Sequence, residues 1–172
     1  MKSKSWVTDE MRKLIGVEMR KSISHPVTAS DIRKWAIAVY YPETPPRLFW
    51  DECFAKKTKY GGLVAPEEFN PFAWSTAQPS LTDPKVSQTA FSERELDVEP
   101  PSYRAILLTE IREQYGEQRI RPGDTITSVV HIKDYFEREG RMGHMLYTTL
   151  ANVWSNQSNE WLRTTESVFV RY

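Results

Sequence analysis

The sequence predicts an α+β fold, on three observations. Residues up to about Ala90 carry helical periodicity and loop signals. Residues from about Tyr103 alternate apolar and polar side chains, as strands with one buried face do. Between them, "QPSLTDPKVSQTAFSERELDVEPPS" is polar, contains prolines and holds neither period, so it reads as a long loop over about 77–102. Helices in one half and strands in the other argue for α+β rather than a parallel sheet with interleaved helices. One domain is expected over 1–172, with about residues 1–11 as an N-terminal extension.

The first clear helix is expected in "VTASDIRKWAIAVY". Thr28 is a suitable N-cap and Asp31 can reach back to it, while Val27 and Ile32 suit a hydrophobic staple. Ile32, Trp35, Ala36 and Val39 recur at helical spacing, and Pro42 follows where the pattern stops. A second, short helix is expected in "DECFAKKTKYGG", with Asp51 as cap and Gly61 or Gly62 in the left-handed C-cap conformation. A third is expected after Pro66, since "PEEF" places a proline and two acids where helices begin.

Strands are expected after that. "YRAILLTEIREQY" is apolar enough for a buried strand. "RPGD" is a turn in which Gly123 supplies positive φ. "TITSVVHIKDYFE", "HMLYTTLANVW" and "EWLRTTESVFVRY" follow, the last two joined by "SNQSN", where Asn156 or Asn159 tolerates positive φ. Short connections between them predict an antiparallel meander.

Composition excludes several functions. Lys plus Arg equal Asp plus Glu at 23 each, so no basic footprint for nucleic acid or an anionic membrane surface is present. No apolar run approaches the ~18 residues of a membrane helix, and the N-terminal "MKSKSWVTDEMRKLIG" lacks the core of a signal peptide. A cytoplasmic protein is expected. The one cysteine, Cys53, excludes an internal disulfide and reads as a small buried residue on the short helix. The three histidines, His25, His131 and His144, show no metal-ligand spacing, although His131 and His144 stand on neighbouring strand candidates where a hairpin would bring them together. The carboxylate pairs Asp51-Glu52, Glu67-Glu68 and Glu137/Glu139 read as solvated caps and faces. No phosphate-binding glycine motif is present. Lys56, Lys57 and Lys59 beside Tyr60 suit either a solvated helix end or a grip on a phosphorylated ligand.

The order of motifs is more specific than any one of them. A capped "TASDIRKWA" helix precedes "FWDECFAKKTKYGGLVAP"; "RPGDTIT" and "IKDYFEREGRMGHM" follow, and "NQSNEW" closes the chain. Over roughly residues 12–172 this resembles the MaoC-like dehydratases, in particular their fatty-acid-synthase-like branch. The resemblance implies a hotdog fold, a curved antiparallel sheet wrapped around a central helix, working as a dimer or double hotdog. It implies reversible hydration of trans-2-enoyl thioesters without a cofactor, on an acyl-CoA or acyl-carrier thioester. Active members of that family carry "D-x-N-P-x-H" just before the "D-E" helix; the Asp and His activate one water, and a backbone N–H after the "A-H-G" or "A-P-G" turn polarises the thioester carbonyl.

Aligned on Trp50-Asp51-Glu52, the aspartate position of that motif falls on Thr44 and the histidine position on Phe49. No Asp or His lies anywhere between Tyr40 and Trp50, so no shift of register recovers the pair. The family's turn glycine is replaced by Glu67. The resemblance therefore implies a non-catalytic subunit whose acyl site is formed by Phe49, Tyr60, Gly61, Gly62, Val64, Ala65, Pro66 and Glu67, with Phe72 and Trp74 widening it. The expected assembly is a homodimer or a heteromer with a MaoC-like subunit that carries the dyad. The alternatives are an autonomous hydratase using Glu43 with His131 or His144, a thioesterase using Glu67 or Glu68, and a hotdog protein that binds an acyl thioester without turnover.

Overall fold

The computed structural model of the chain describes residues 5–73, 93–141 and 143–172. Five strands form one antiparallel sheet in the order β1-β3-β4-β5-β2. They are β1 (Glu18–Ile23), β2 (Ile106–Tyr115), β3 (Thr127–Gly140), β4 (Gly143–Ser155) and β5 (Trp161–Arg171). Among the described residues the α-helices are α1 (Asp9–Lys13), α2 (Ala29–Tyr40) and α3 (Glu52–Ala55). The α+β expectation holds.

Local chemistry sets several boundaries. Thr28 and Asp31 form a reciprocal capping box at the start of α2. Asp51 caps α3 by accepting from the Phe54 N–H. Gly61 and Gly123 both sit at positive φ, at 66° and 94°, and Asn159 at 60° closes the β4–β5 hairpin.

Two apolar clusters lie on one face of the sheet. Leu146, Leu150 and Trp154 are alternate residues of β4, so they point the same way. Trp154 belongs to the first cluster, where Val27, just before α2, and Ile32 and Ala36 of α2 lie against Ile126 and Leu162. Leu146 and Leu150 belong to the second, where Val7, Met11 and Leu14 of the N-terminal segment cover Ile132 and Tyr135. Each fully buried aliphatic side chain contributes roughly 1.5–3 kcal/mol. Among the residues of the second cluster, Arg171, the ladder partner of Leu146, and Glu93, both fully buried, pair at 2.7 Å, and Arg171 also donates to Thr148 at 2.6 Å.

Several expectations are corrected. Strand β2 is an exposed edge, not a buried strand: it pairs only with β5, leaving Leu107, Leu108 and Ile111 at 52%, 49% and 57% exposure. Only β3, β4 and β5 form a meander. Strand β1, not expected from its polar "EMRKSI", pairs with β3 at the opposite edge. Val39 faces solvent, and Tyr40 takes its place against the core. No helix begins at Pro66; isolated turns run to Ala73, because Pro71 lacks an N–H and disfavours the helical conformation at Asn70. Cys53 is on α3 but exposed.

His131 and His144 are not brought together. His131 faces Ala151 across the ladder, while His144 faces Glu139. Seven residues of β4 separate those positions, roughly 23 Å at ~3.3 Å per residue. Glu139 is solvated as expected, whereas Glu137 is largely covered; their carboxylates stand 2.8 and 2.9 Å from His144 Nδ1 and Nε2.

Candidate functional site

The segment from Tyr60 to Glu67 turns at Gly61, runs without regular structure over 63–66 and is fixed by the chain that enters β3. Arg121 donates to the Tyr60 carbonyl at 2.7 Å, and the Ala65 N–H donates to the Ile120 carbonyl at 2.8 Å. Arg119 donates to the Ala65 carbonyl at 3.0 Å and to the Glu67 carboxylate at 2.6 Å. Two arginines thus replace the backbone ladder a strand would have supplied. The run "EQRIRPGD" carries them, and their role becomes visible only when the fold places them beside "YGGLVAPE".

The sequence-derived residues divide into two groups. Phe49, Val64 and Ala65 are buried in the first core cluster, where Phe49 lies 5.9 Å from the ring of Tyr40. Tyr60 packs at the margin of that cluster, Gly61 is exposed and Gly62 partly so. Pro66 and Glu67 open onto a cavity of about 20 Å³, together with Tyr115, Trp154 and Arg163. Phe72 stacks edge-on against Trp154 at 5.3 Å, whereas Trp74 lies outside the described residues. Thr44 is exposed and Phe49 buried, so the two positions where the resemblance would place an acid and a base offer neither.

The cavity wall comes from strand register. Trp154, Arg163 and Tyr115 are successive partners across β4, β5 and β2, and Thr165 and Glu113 are partners one step along the same face. Glu113 accepts from the Tyr115 hydroxyl at 2.6 Å and from Thr165 at 3.2 Å. Burial first, then the hydrogen bond to Glu113, holds the Tyr115 hydroxyl above the ordinary phenol range. The Arg163 guanidinium lies 3.8 Å over the Trp154 ring, a cation–π stack. Gly116 lets β2 end against β5, since a Cβ there would meet the Trp161 carbonyl oxygen at 2.4 Å. None of these cavity residues except Pro66 and Glu67 was expected from the sequence. Alternation in "EWLRTTES" showed that Arg163 and Thr165 share a face, but not that the face is the inner one.

Asp51 and Glu67 are engaged by other groups. Asp51 is held below the usual carboxylate range by the Phe54 N–H, then by Arg47. Glu67 is bound to Arg119. Among the described residues no group of His, Cys, Asp or Glu is arranged to hold a metal. None of the described helices is long and apolar enough to cross a membrane.

Comparison with known proteins fits this architecture. Residues 13–165 match the FAS1-like dehydratase domain region, and the chain belongs to that family. No curated protein matches the sequence. A chain of the ChsH1-ChsH2 complex from Mycobacterium tuberculosis superposes with a TM-score of 0.66 at 13% identity, over 95% of this chain and 89% of that one. A chain of the HadBC (3R)-hydroxyacyl-ACP dehydratase complex from the same organism gives 0.55 at 19% identity, over 91% and 99%. The MaoC-like dehydratase of Rhodospirillum rubrum gives 0.53 at 19% identity, over 89% and 90%. At these identities the likeness establishes the shared hotdog fold.

Proposed function

We propose that this chain is the non-catalytic, acyl-binding member of a heteromeric enoyl-thioester hydratase or 3-hydroxyacyl-thioester dehydratase. The observation that carries the reading is the pair Thr44 and Phe49 at the dyad positions: an exposed hydroxyl and a buried phenyl ring can neither activate water nor move a proton to the α-carbon. Family membership supports the reaction class. The exposed apolar edge of β2 supports association, because an edge strand with Leu107, Leu108 and Ile111 uncovered is a template for a further strand. Two of the similar structures are complexes of unlike chains, which supports a heteromer over a homodimer.

In this reading the substrate is an acyl-CoA or acyl-carrier thioester and no cofactor takes part. The acyl group lies along the Tyr60–Glu67 segment, of which Pro66 and Glu67 line the cavity. A dyad-carrying subunit supplies the base and acid. The geometry disfavours a thioesterase based on Glu67, since its carboxylate is neutralised by Arg119 at 2.6 Å.

The test is hydration of crotonyl-CoA and longer enoyl-CoA, followed by loss of enoyl absorbance. The purified chain alone is expected to be inactive. Mixed with a dyad-carrying MaoC-like protein from the same genome, it is expected to raise that protein's turnover and to co-elute with it. Turnover by the chain alone would refute the proposal.

A further inference from the structure

A second cleft, of about 500 Å³, lies at the other end of β5 from the cavity beside Pro66. Its walls are Trp6, Ser102, Tyr103, Arg104, His144 and Tyr172, and the two hollows share no residue. Arg163 lines the first and Tyr172 the second, nine steps along one strand, or roughly 30 Å at ~3.3 Å per residue. A space of this size is in the range of small-molecule sites, which are walled by apolar and aromatic side chains around a few polar groups.

Pairing at the sheet end fixes the walls. The Arg104 and Ala105 N–H groups both donate to the Tyr172 carbonyl, at 2.7 and 3.1 Å, and the Tyr172 N–H donates to the Ala105 carbonyl at 3.2 Å. The Tyr103 ring lies 5.9 Å from the guanidinium of Arg171, which is itself held by Glu93. Trp6 packs edge-on against His144 at 4.9 Å, and its backbone N–H donates to Glu137. Separate stretches of chain thus meet in one place, each tied to the sheet.

The lining narrows what fits. Among the described residues that form the cleft none is aliphatic: its apolar surface is the rings of Trp6, Tyr103 and Tyr172 and the imidazole of His144. Such rings favour a flat aromatic group, which can stack on one and meet another edge-on. His144 adds no donor, because the carboxylates of Glu137 and Glu139 stand 2.9 and 2.8 Å from its two ring nitrogens. Arg104 is exposed, and its guanidinium has no ion pair among the described residues. A carboxylate suits that planar fork, which it can engage with two parallel bonds. A dianion such as phosphate would bring a further charge that no cation in the cleft matches, beside the two acids at His144.

We propose that this cleft is a second binding site, for a planar aromatic monocarboxylate, with its ring among Trp6, Tyr103 and Tyr172 and its carboxylate on Arg104. The site is separate from the acyl cavity and does not depend on the thioester reading.

The test uses the full chain, calorimetry and 2-naphthoate as the probe. Two relatives each lack one feature: 2-naphthamide keeps the rings and loses the charge, and decahydro-2-naphthoate keeps the charge and the size and loses the aromaticity. The amide is expected to bind about tenfold more weakly than 2-naphthoate, the value of a charge-assisted bond. The saturated acid is expected to bind several-fold more weakly, through lost stacking. Arg104→Gln, a change at an exposed position, should bring 2-naphthoate down to the level of the amide. Tyr172→Leu should bring it toward the saturated acid.

The same titration is followed by NMR on the indole N–H signals of the ¹⁵N-labelled chain. The Trp6 signal, identified by its loss in Trp6→Phe, is expected to shift saturably with 2-naphthoate. No binding of 2-naphthoate at millimolar concentration, an amide or saturated acid that binds equally well, or an affinity unchanged in Arg104→Gln would overturn the site. So would a Trp6 signal that stays in place while heat is released, which puts the ligand elsewhere, or a stronger response to inorganic phosphate. Enoyl-CoA turnover is not part of the readout, so failure here is distinct from failure of the subunit reading.

Discussion

Replacing Glu93 by alanine should destabilise the protein far more than removal of a surface carboxylate. Glu93 and Arg171 are both fully buried and joined by bonds of 2.7 and 3.2 Å, and Arg171 reaches Thr148 at 2.6 Å. Glu93→Ala leaves a guanidinium in the interior without its counter-charge. Breaking a buried pair from one side costs about 3–5 kcal/mol. For a chain of this size each kcal/mol lowers Tm by about 2–4 °C, so the loss is roughly 6–20 °C. The double variant Glu93→Leu/Arg171→Met removes both charges and keeps apolar bulk. It should recover to within about 1–2 kcal/mol of the parent, because two desolvated charges are replaced by packing. Thermal and urea unfolding of parent, both singles and the double complete the cycle. Additive losses, or a single variant within about 1 kcal/mol of the parent, would refute the claim that each of these buried charges depends on the other.

Three other expectations concern stability. Met11→Ala should cost about 2–5 kcal/mol, measured by urea unfolding, since Met11 is fully buried under the second cluster and the N-terminal segment is part of the core. Gly116→Ala should be destabilising by about 1–3 kcal/mol, because its Cβ would lie 2.4 Å from a backbone oxygen that has little room to yield. The docking of Trp6 should depend on pH in two directions. His144 is raised by its bonds to Glu137, then Glu139, so its contribution is whole below its ordinary value of 6.5 and is lost as pH rises through the raised value. Burial would raise Glu137, but bonds from Ser5, His144 and the Trp6 N–H outweigh it and lower it to about 2; its contribution is whole above 4.5 and fades as pH falls toward 2. Trp6 fluorescence, assigned with Trp6→Phe, should therefore be constant between about pH 4.5 and 6.5 and change on either side.

Features written in a few neighbouring residues were legible in the sequence. The Thr28–Asp31 box, the Asp51 cap and the turns at Gly123 and Asn159 need only local chemistry, and each forms where expected. Features that depend on strand order were not. "AILLTEI" is apolar enough to be central, yet the sheet puts it at an edge; "EMRKSI" has no apolar alternation, yet β3 supplies its pairing. The clamp of Glu137 and Glu139 on His144 follows from hairpin register, which places Glu139 opposite His144. For the site, the missing acid and base at Thr44 and Phe49 could be read directly. The cavity wall could not, because Tyr115, Trp154 and Arg163 come from three strands and meet only across the folded sheet.

The central claim is that the chain holds substrate while another subunit does the chemistry. It is tested most directly by enoyl-CoA hydration in the reconstituted pair, with ionisable residues removed from each side in turn. The account predicts that replacing the dyad histidine of the dyad-carrying subunit by alanine abolishes turnover. It also predicts that Glu43→Gln, His131→Gln or His144→Gln in this chain leaves turnover within about twofold of the parent, since each stands apart from the cavity beside Pro66. Turnover that survives loss of the partner's dyad, or that falls a hundredfold with any of the three substitutions here, would contradict it.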